Sequence, residues 1–199
     1  MELENLVQAV TDSLFVELEA SGRHVHVTGE QAMTLFGHPL TPARPLSQPG
    51  QFLARERVTL VGEKGEFRDV AVLGPERREG QVEISLTDGR VLGIAPPVRL
   101  SGDVEGTPGI VLLGSNGRVE LTQGVIAAKR HIHLTPRAAA HFGVKNGENV
   151  KLKDLTRRPV IFEDVSVRVS EQFAPFAHLD YDEANACGFC KGDLGRILK

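Results

Sequence analysis

The chain has 199 residues, with 23 Lys and Arg against 26 Asp and Glu, a formal net charge of −3. That balance gives no general attraction to nucleic acid and leaves local basic clusters, such as Arg77-Arg78 and Lys129-Arg130, as candidate anion sites. No run approaches the 18 or more consecutive apolar residues of a membrane helix, and the acidic start (Glu2, Glu4) lacks the basic beginning of a secretory signal, so a cytoplasmic protein is expected.

Residues 1–14 place Leu3, Leu6, Val7, Val10 and Leu14 at helical spacing, which predicts a short amphipathic helix. It either docks on its own domain or acts as a detachable peptide for a shell or scaffold protein; docking is the default for such a helix. Short β-rich runs follow: Phe15–Leu18, Val58–Val61, Val70–Leu73, Gln81–Leu86, Gly109–Leu113, Asn149–Leu152 and Val165–Val169. Asp88-Gly89, Ser115-Asn-Gly117 and Asn146-Gly147 read as turns, and His38 to Gly50, with Pro39, Pro42, Pro45 and Pro49, as a loop or linker. Many short strands at this spacing predict a mainly β protein of barrels or sandwiches.

One repeat stands out. Arg23-His-Val-His-Val-Thr28 and Arg130-His-Ile-His-Leu-Thr135 each precede a helical-looking stretch that stops at Phe-Gly, Phe36-Gly37 and Phe142-Gly143. Two related β-domains with short capping helices are the simplest account. Side chains at i and i+2 of a strand share a face, so His24 projects with His26 and His131 with His133. A single pair of this kind is commonly a hydrogen-bonded surface or core pair. Two pairs in matching positions point to metal, with zinc first because imidazoles suit it. His178 is a further candidate ligand; Asp180, Asp182 and Glu183 read as helix caps or solvated acids ahead of ligands. Cys187 and Cys190 form one C-x-x-C with no second copy and read as reduced thiols. An arginine on the loop Leu73–Gly80 can hold a phosphate bidentately.

At these motifs the sequence resembles the PduL-type phosphotransacylases, or phosphate propanoyltransferases, of bacterial microcompartments. The resemblance runs from about Phe15 to Phe189. It is carried by Arg23-His-Val-His26, Gly74-Pro-Glu-Arg77, Gln81-Val-Glu-Ile-Ser85, Pro97-Val-Arg-Leu-Ser-Gly102, Lys129-Arg-His-Ile-His-Leu134 and His178-Leu-Asp-Tyr-Asp-Glu-Ala-Asn185. It implies two interleaved barrels, one of residues 15–22 plus 129–199 and one of 23–37 plus 56–128, with 38–55 as a Pro-rich linker. It implies two zinc ions, one on His24 and His26, the other on Glu83, His131, His133 and His178, and it gives Arg77 the phosphate. Where the family has Arg-Thr-Asp after the glutamate strand, this chain has Leu86-Thr-Asp88.

The expected reaction is reversible exchange of phosphate and coenzyme A on a propanoyl or acetyl group, by direct attack of phosphate on the thioester. Arg99, Lys129 and Arg130 are the expected contacts for coenzyme A phosphates. A homo-oligomer, dimer or larger, inside a microcompartment follows from the same resemblance. Two rivals stay open: a zinc hydrolase of thioesters or acyl phosphates, which needs no phosphate, and a non-catalytic metal-stabilised β-module.

Overall fold

The computed structural model describes residues 7, 10, 11 and 13–199. They divide into two compact units: the described residues up to Ser21 with Arg130–Lys199, and Gly22–Lys129. Leu3 and Leu6 of the amphipathic segment lie outside the described residues, whereas Val7, Val10 and Leu14 are each about half exposed. No helix among the described residues is long and apolar enough to cross a membrane.

The first unit contains β1 (Val16–Ser21), β11 (His131–Leu134), β12 (Asn149–Asp154), β13 (Ile161–Val169), β14 (Phe176–Asp180) and β15 (Leu194–Leu198). They close into a barrel in the order β1-β14-β11-β13-β12-β15. The strand nearest the N-terminus pairs in parallel with β14 and antiparallel with β15, so it completes a barrel otherwise drawn from the last third of the chain. The two units are therefore interleaved in sequence. Strand alternation fills the interior: in β12 every second residue is buried, and Val150 and Leu152 meet Val16, Leu18, Ile132, Leu134, Val165, Val167 and Leu179. Truncating a fully buried leucine such as Leu152 to alanine costs about 2–5 kcal/mol. Asp154 also points inward. Its carboxylate accepts from the Thr156 hydroxyl (2.6 Å), the Thr156 amide (3.2 Å) and the Val160 amide (2.7 Å), which offsets its desolvation and pins the loop that follows.

The second unit contains β2 (His24–His26), β3 (Pro42–Pro45), β4 (Phe52–Val61), β5 (Glu66–Gly74), β6 (Gln81–Glu83), β7 (Val98–Arg99), β8 (Ile110–Leu113), β9 (Arg118–Leu121) and β10 (Val125–Ala128). These form a nine-stranded sheet in the order β7-β10-β6-β2-β5-β4-β8-β9, with β3 branching off β4. Thus one of the two β-units is a closed barrel and the other an open, half-barrel sheet. Val25, Val58, Leu60, Val72, Val82, Leu112 and Val125 form its core.

Two local expectations change. The Pro-rich segment is not wholly loop: Pro42–Pro45 is a strand, paired among the described residues with β4 alone. Proline lacks an N–H to donate, and such a one-sided edge is where that lack is tolerated. The strand expected over Gln81–Leu86 ends at Glu83, and Asp88-Gly89 is no turn but lies inside a helix, α2 (Leu86–Leu92). Ser85 caps that helix, and the Asp88 carboxylate accepts in return from the Ser85 amide, completing a capping box that outweighs the turn preference of Asp-Gly. Gly89 is needed for close approach, because a Cβ there would stand 2.6 Å from the Ile94 carbonyl oxygen.

Candidate metal centres

Among the described residues the same local unit recurs four times. β2 leads to α1 (Gly29–Phe36), β6 to α2, β11 to α3 (Pro136–Phe142) and β14 to α4 (Tyr181–Cys187). The N-caps are Thr28, Ser85, Thr135 and Asp180, and each helix ends on a left-handed glycine: Gly37, Gly93, Gly143 and Gly188. Each side-chain cap accepts an amide of its helix's first turn, within 2.8–3.1 Å. Two residues before every cap stands a metal-ligand type: His26, Glu83, His133 and His178. A strand that stops at its cap thus fixes where its last inward side chain sits.

In the second unit, β2 and β6 are antiparallel with His24 opposite Glu83 and His26 opposite Gln81. All three candidate ligands are buried, and their ligand atoms lie within 4.8 Å of one another. His24 Nε2 is 3.5 Å and His26 Nε2 4.0 Å from the Glu83 carboxylate. The other ring nitrogens face carbonyls: His24 Nδ1 lies 2.8 Å from Gly22 O and His26 Nδ1 3.2 Å from Leu73 O. A carbonyl can only accept, so both Nδ1 atoms donate and each Nε2 is turned toward the carboxylate, as a lone pair when the ring is neutral and, on His24, as a second N–H when it is protonated. This donor set, two imidazoles and a carboxylate, fits a divalent cation such as zinc.

Burial opposes a charge on His24, but Glu83 overrides it and raises the His24 pKa. Burial, then the charges of His24 and Arg77, holds His26 well below the ordinary imidazole value. Glu83, although burial opposes its ionisation, is held far below the usual carboxylate range by His24 and His26.

A polar line leads from this centre to Arg77. Gln81 Nε2 donates to Glu83 (2.5 Å) and to Ser101 Oγ (2.9 Å), and Gln81 Oε1 accepts the Gly102 amide. Arg77 donates to the same Ser101 hydroxyl at 3.1 Å. Arg77 is half-buried and Arg78 exposed, which separates the two arginines of the loop. Sequence reasoning did not find Gln81 or Ser101; the signal was their place in the same two segments as Glu83 and Arg99.

In the first unit, β11 and β14 are antiparallel with His131 opposite His178. The rings of His131, His133 and His178 lie 4.6–5.0 Å apart, with ligand atoms within 4.8 Å. Three imidazoles on two adjacent strands fit zinc equally well. Phe173 stacks on His133 at 4.2 Å. Glu19, another residue the sequence did not single out, pairs with His178 across β1 and β14 and brings a carboxylate oxygen 3.5 Å from His178 Nε2.

The grouping differs from the expected one in Glu83. The resemblance assigned it to the centre of His131, His133 and His178; the structure sets it against His24 and His26, because the β2–β6 register makes it the direct neighbour of His24. Arg99 and Lys129 meet at the β7–β10 edge, where the Lys129 amide donates to the Arg99 carbonyl (2.8 Å). The exposed Arg99 guanidinium pairs with Asp103 at 2.9 Å. Arg130 is engaged within its own unit, with Glu183 at 2.8 Å and the Glu163 carbonyl at 2.7 Å. Asp180 and Glu183 serve as cap and capping-box partner. Cys187 is a buried and Cys190 an exposed free thiol.

A family model described as phosphate propanoyltransferase matches residues 17–190. A phosphate propanoyltransferase of Enterococcus faecalis is 54% identical over 185 residues, covering 92% of this chain and 88% of the relative. One from Clostridioides difficile is 50% identical over 199 residues, 99% of this chain and 95% of the relative. One from Thermotoga maritima is 53% identical over 182 residues, 90% and 87% respectively. Matches of this extent cover both β-units and both clusters, and the chain belongs to the phosphate propanoyltransferase family.

Proposed function

We propose that the chain catalyses propanoyl-CoA plus phosphate to propanoyl phosphate plus CoA, reversibly, with acetyl-CoA as a second substrate. A phosphate oxygen forms the bond to the acyl carbon, the carbon–sulfur bond breaks, and the thiolate leaves with its electron pair. Two zinc ions are the cofactors, one on His24, His26 and Glu83 and one on His131, His133 and His178. When bound they would supply positive charge that offsets the anionic nucleophile and the oxyanion of the attack.

The chain's own residues do the positioning. Arg77 holds phosphate through paired N–H donors and fixes its approach. Gln81 and Ser101 hold Arg77 and Glu83 in one hydrogen-bonded frame. Arg99 and Lys129, adjacent on one sheet edge, contact phosphates of coenzyme A; Arg130 is better explained as a structural clasp than as a coenzyme contact. The chain works as a homo-oligomer, and the segment 1–14, with Val7, Val10 and Leu14 half exposed, targets it to a microcompartment shell or core enzyme.

The observation that carries this reading is the line Arg77–Ser101–Gln81–Glu83, which ties an anion-binding guanidinium to a buried His/carboxylate cluster. Release of free CoA from propanoyl-CoA, measured with and without phosphate, tests it. Phosphate-dependent release with formation of propanoyl phosphate is expected. Release that ignores phosphate would make the protein a hydrolase, and none at all would leave a binding module.

A further inference from the structure

Each unit contains one ion pair in the same structural position. Arg23 stands immediately before His24, and Asp88 five residues after Glu83; Arg130 stands immediately before His131, and Glu183 five residues after His178. Arg23 grips Asp88 with two donors, Nη2 at 2.7 Å and Nε at 3.2 Å, and lies 4.1 Å over the Phe67 ring. Arg130 meets Glu183 at 2.8 Å while its Nε donates to the Glu163 carbonyl. In both units the acid is the third residue of the helix that follows the third ligand strand, and its carboxylate also closes the capping box of that helix.

We propose that Arg23–Asp88 and Arg130–Glu183 are equivalent positioning clasps, each setting the metal affinity of the centre in its own unit. The mechanical reason lies in the length of the strands. Across β2–β6, and likewise across β11–β14, three residue pairs are in register, so few ladder hydrogen bonds hold the two ligand-bearing segments together. A clasp joins the strand start, beside the first histidine, to the helix start, beside the third ligand. It thereby resists sliding of one strand past the other, the motion that would separate the ligand atoms. Side-chain exposures of 35% and 7% in one pair and 32% and 18% in the other take both out of the class of freely solvated pairs. The arginine fork matters as geometry: a lysine keeps the charge but not the paired donors.

This inference rests on the zinc reading above. The test uses the full chain and zinc alone, titrated against a chelator of known affinity, with metal-free melting temperature as a second readout. Asp88→Asn and Glu183→Gln keep an acceptor for the capping bond and remove the charge. Backgrounds carrying His24→Ala or His131→Ala leave one centre at a time to be measured. Asp88→Asn should weaken zinc about 10–100-fold at the His24 centre alone, and Glu183→Gln by a similar factor at the His131 centre alone, the range seen for outer-shell partners. Arg23→Lys and Arg130→Lys should each reproduce part of that loss, and the double variant of a pair should lose no more than its worse single variant. Should an acid variant fail to fold, its lysine counterpart carries the test. Unchanged affinity in folded variants overturns the clasps, as does equal weakening of both centres. A wild-type protein that binds no zinc fails the metal reading itself, a result the variants cannot mimic.

Discussion

Glu83 stands directly opposite His24 on the neighbouring antiparallel strand, and the carboxylate lies 3.5 Å from the Nε2 that a metal would use. The pairing makes Glu83 a partner of the first histidine pair. Two zinc ions per chain should be found by metal analysis. Glu83→Gln should remove one of them, with a loss of affinity exceeding the roughly hundredfold expected of an outer-shell change. Combining Glu83→Gln with His24→Ala should still remove only one equivalent, whereas combining it with His131→Ala should remove both. The reverse pattern would return Glu83 to the other centre.

Arg77 is expected to act on phosphate and not on metal. Arg77→Ala should raise the KM for phosphate at least about tenfold, some 1.4 kcal/mol of lost binding, with zinc content and the KM for propanoyl-CoA unchanged. Arg77→Lys should recover little, since a point charge does not reproduce a two-pronged grip. Wild-type phosphate kinetics in the alanine variant would remove the residue from the site.

Gln81 is 2% exposed and joins Glu83 to Ser101 and to the Gly102 amide. Gln81→Met fills similar space but takes the acceptor from the Gly102 amide and one donor from Glu83, while Ser101 keeps Arg77, at a cost of about 1–3 kcal/mol. It should also weaken zinc at the His24 centre about 10–100-fold. Thermal melting and chelator competition check the two effects separately. Lowered stability with intact zinc affinity would make Gln81 a core residue only.

Much of this site was legible in the chain. The His24/His26 and His131/His133 pairs announce themselves by alternation, and their duplication raises them above chance. The Asp180 cap was readable from its place before a helix. Glu83 could be singled out, but its place opposite His24 could not be read, because that neighbour depends on which strand lies beside β6, a long-range register that no local pattern encodes. The same holds for Glu19, whose neighbour His178 is far along the chain, and for Asp88, which looked like a turn residue until its capping box and Arg23 placed it in a helix. The Pro42–Pro45 strand was hidden because prolines argue against strands everywhere except at an edge.

The charge balance of the second unit's centre makes a pH prediction. Burial works against ionising either group, yet Glu83 raises the His24 pKa and His24 depresses that of Glu83. Between those two values the metal-free centre holds an imidazolium–carboxylate pair. The raised His24 value stabilises the metal-free fold fully below the ordinary histidine pKa of about 6.5, and that contribution is lost as pH rises through the folded value. The depressed Glu83 value acts in the other window: its contribution is present above the ordinary carboxylate pKa and is lost as pH falls through the folded value. His26, held neutral by burial and by the His24 charge, adds no competing proton. Zinc needs His24 deprotonated, so binding must expel the proton that Glu83 helps to hold. At fixed free zinc, the rise in melting temperature caused by the metal should therefore be larger near about pH 8 than near about pH 6. In a His131→Ala background, which isolates this centre, more protons should be released per zinc bound at the lower pH than at the higher. A zinc-induced shift that is flat across that range, or that shrinks as pH rises, would mean that His24 does not hold a proton the metal has to displace.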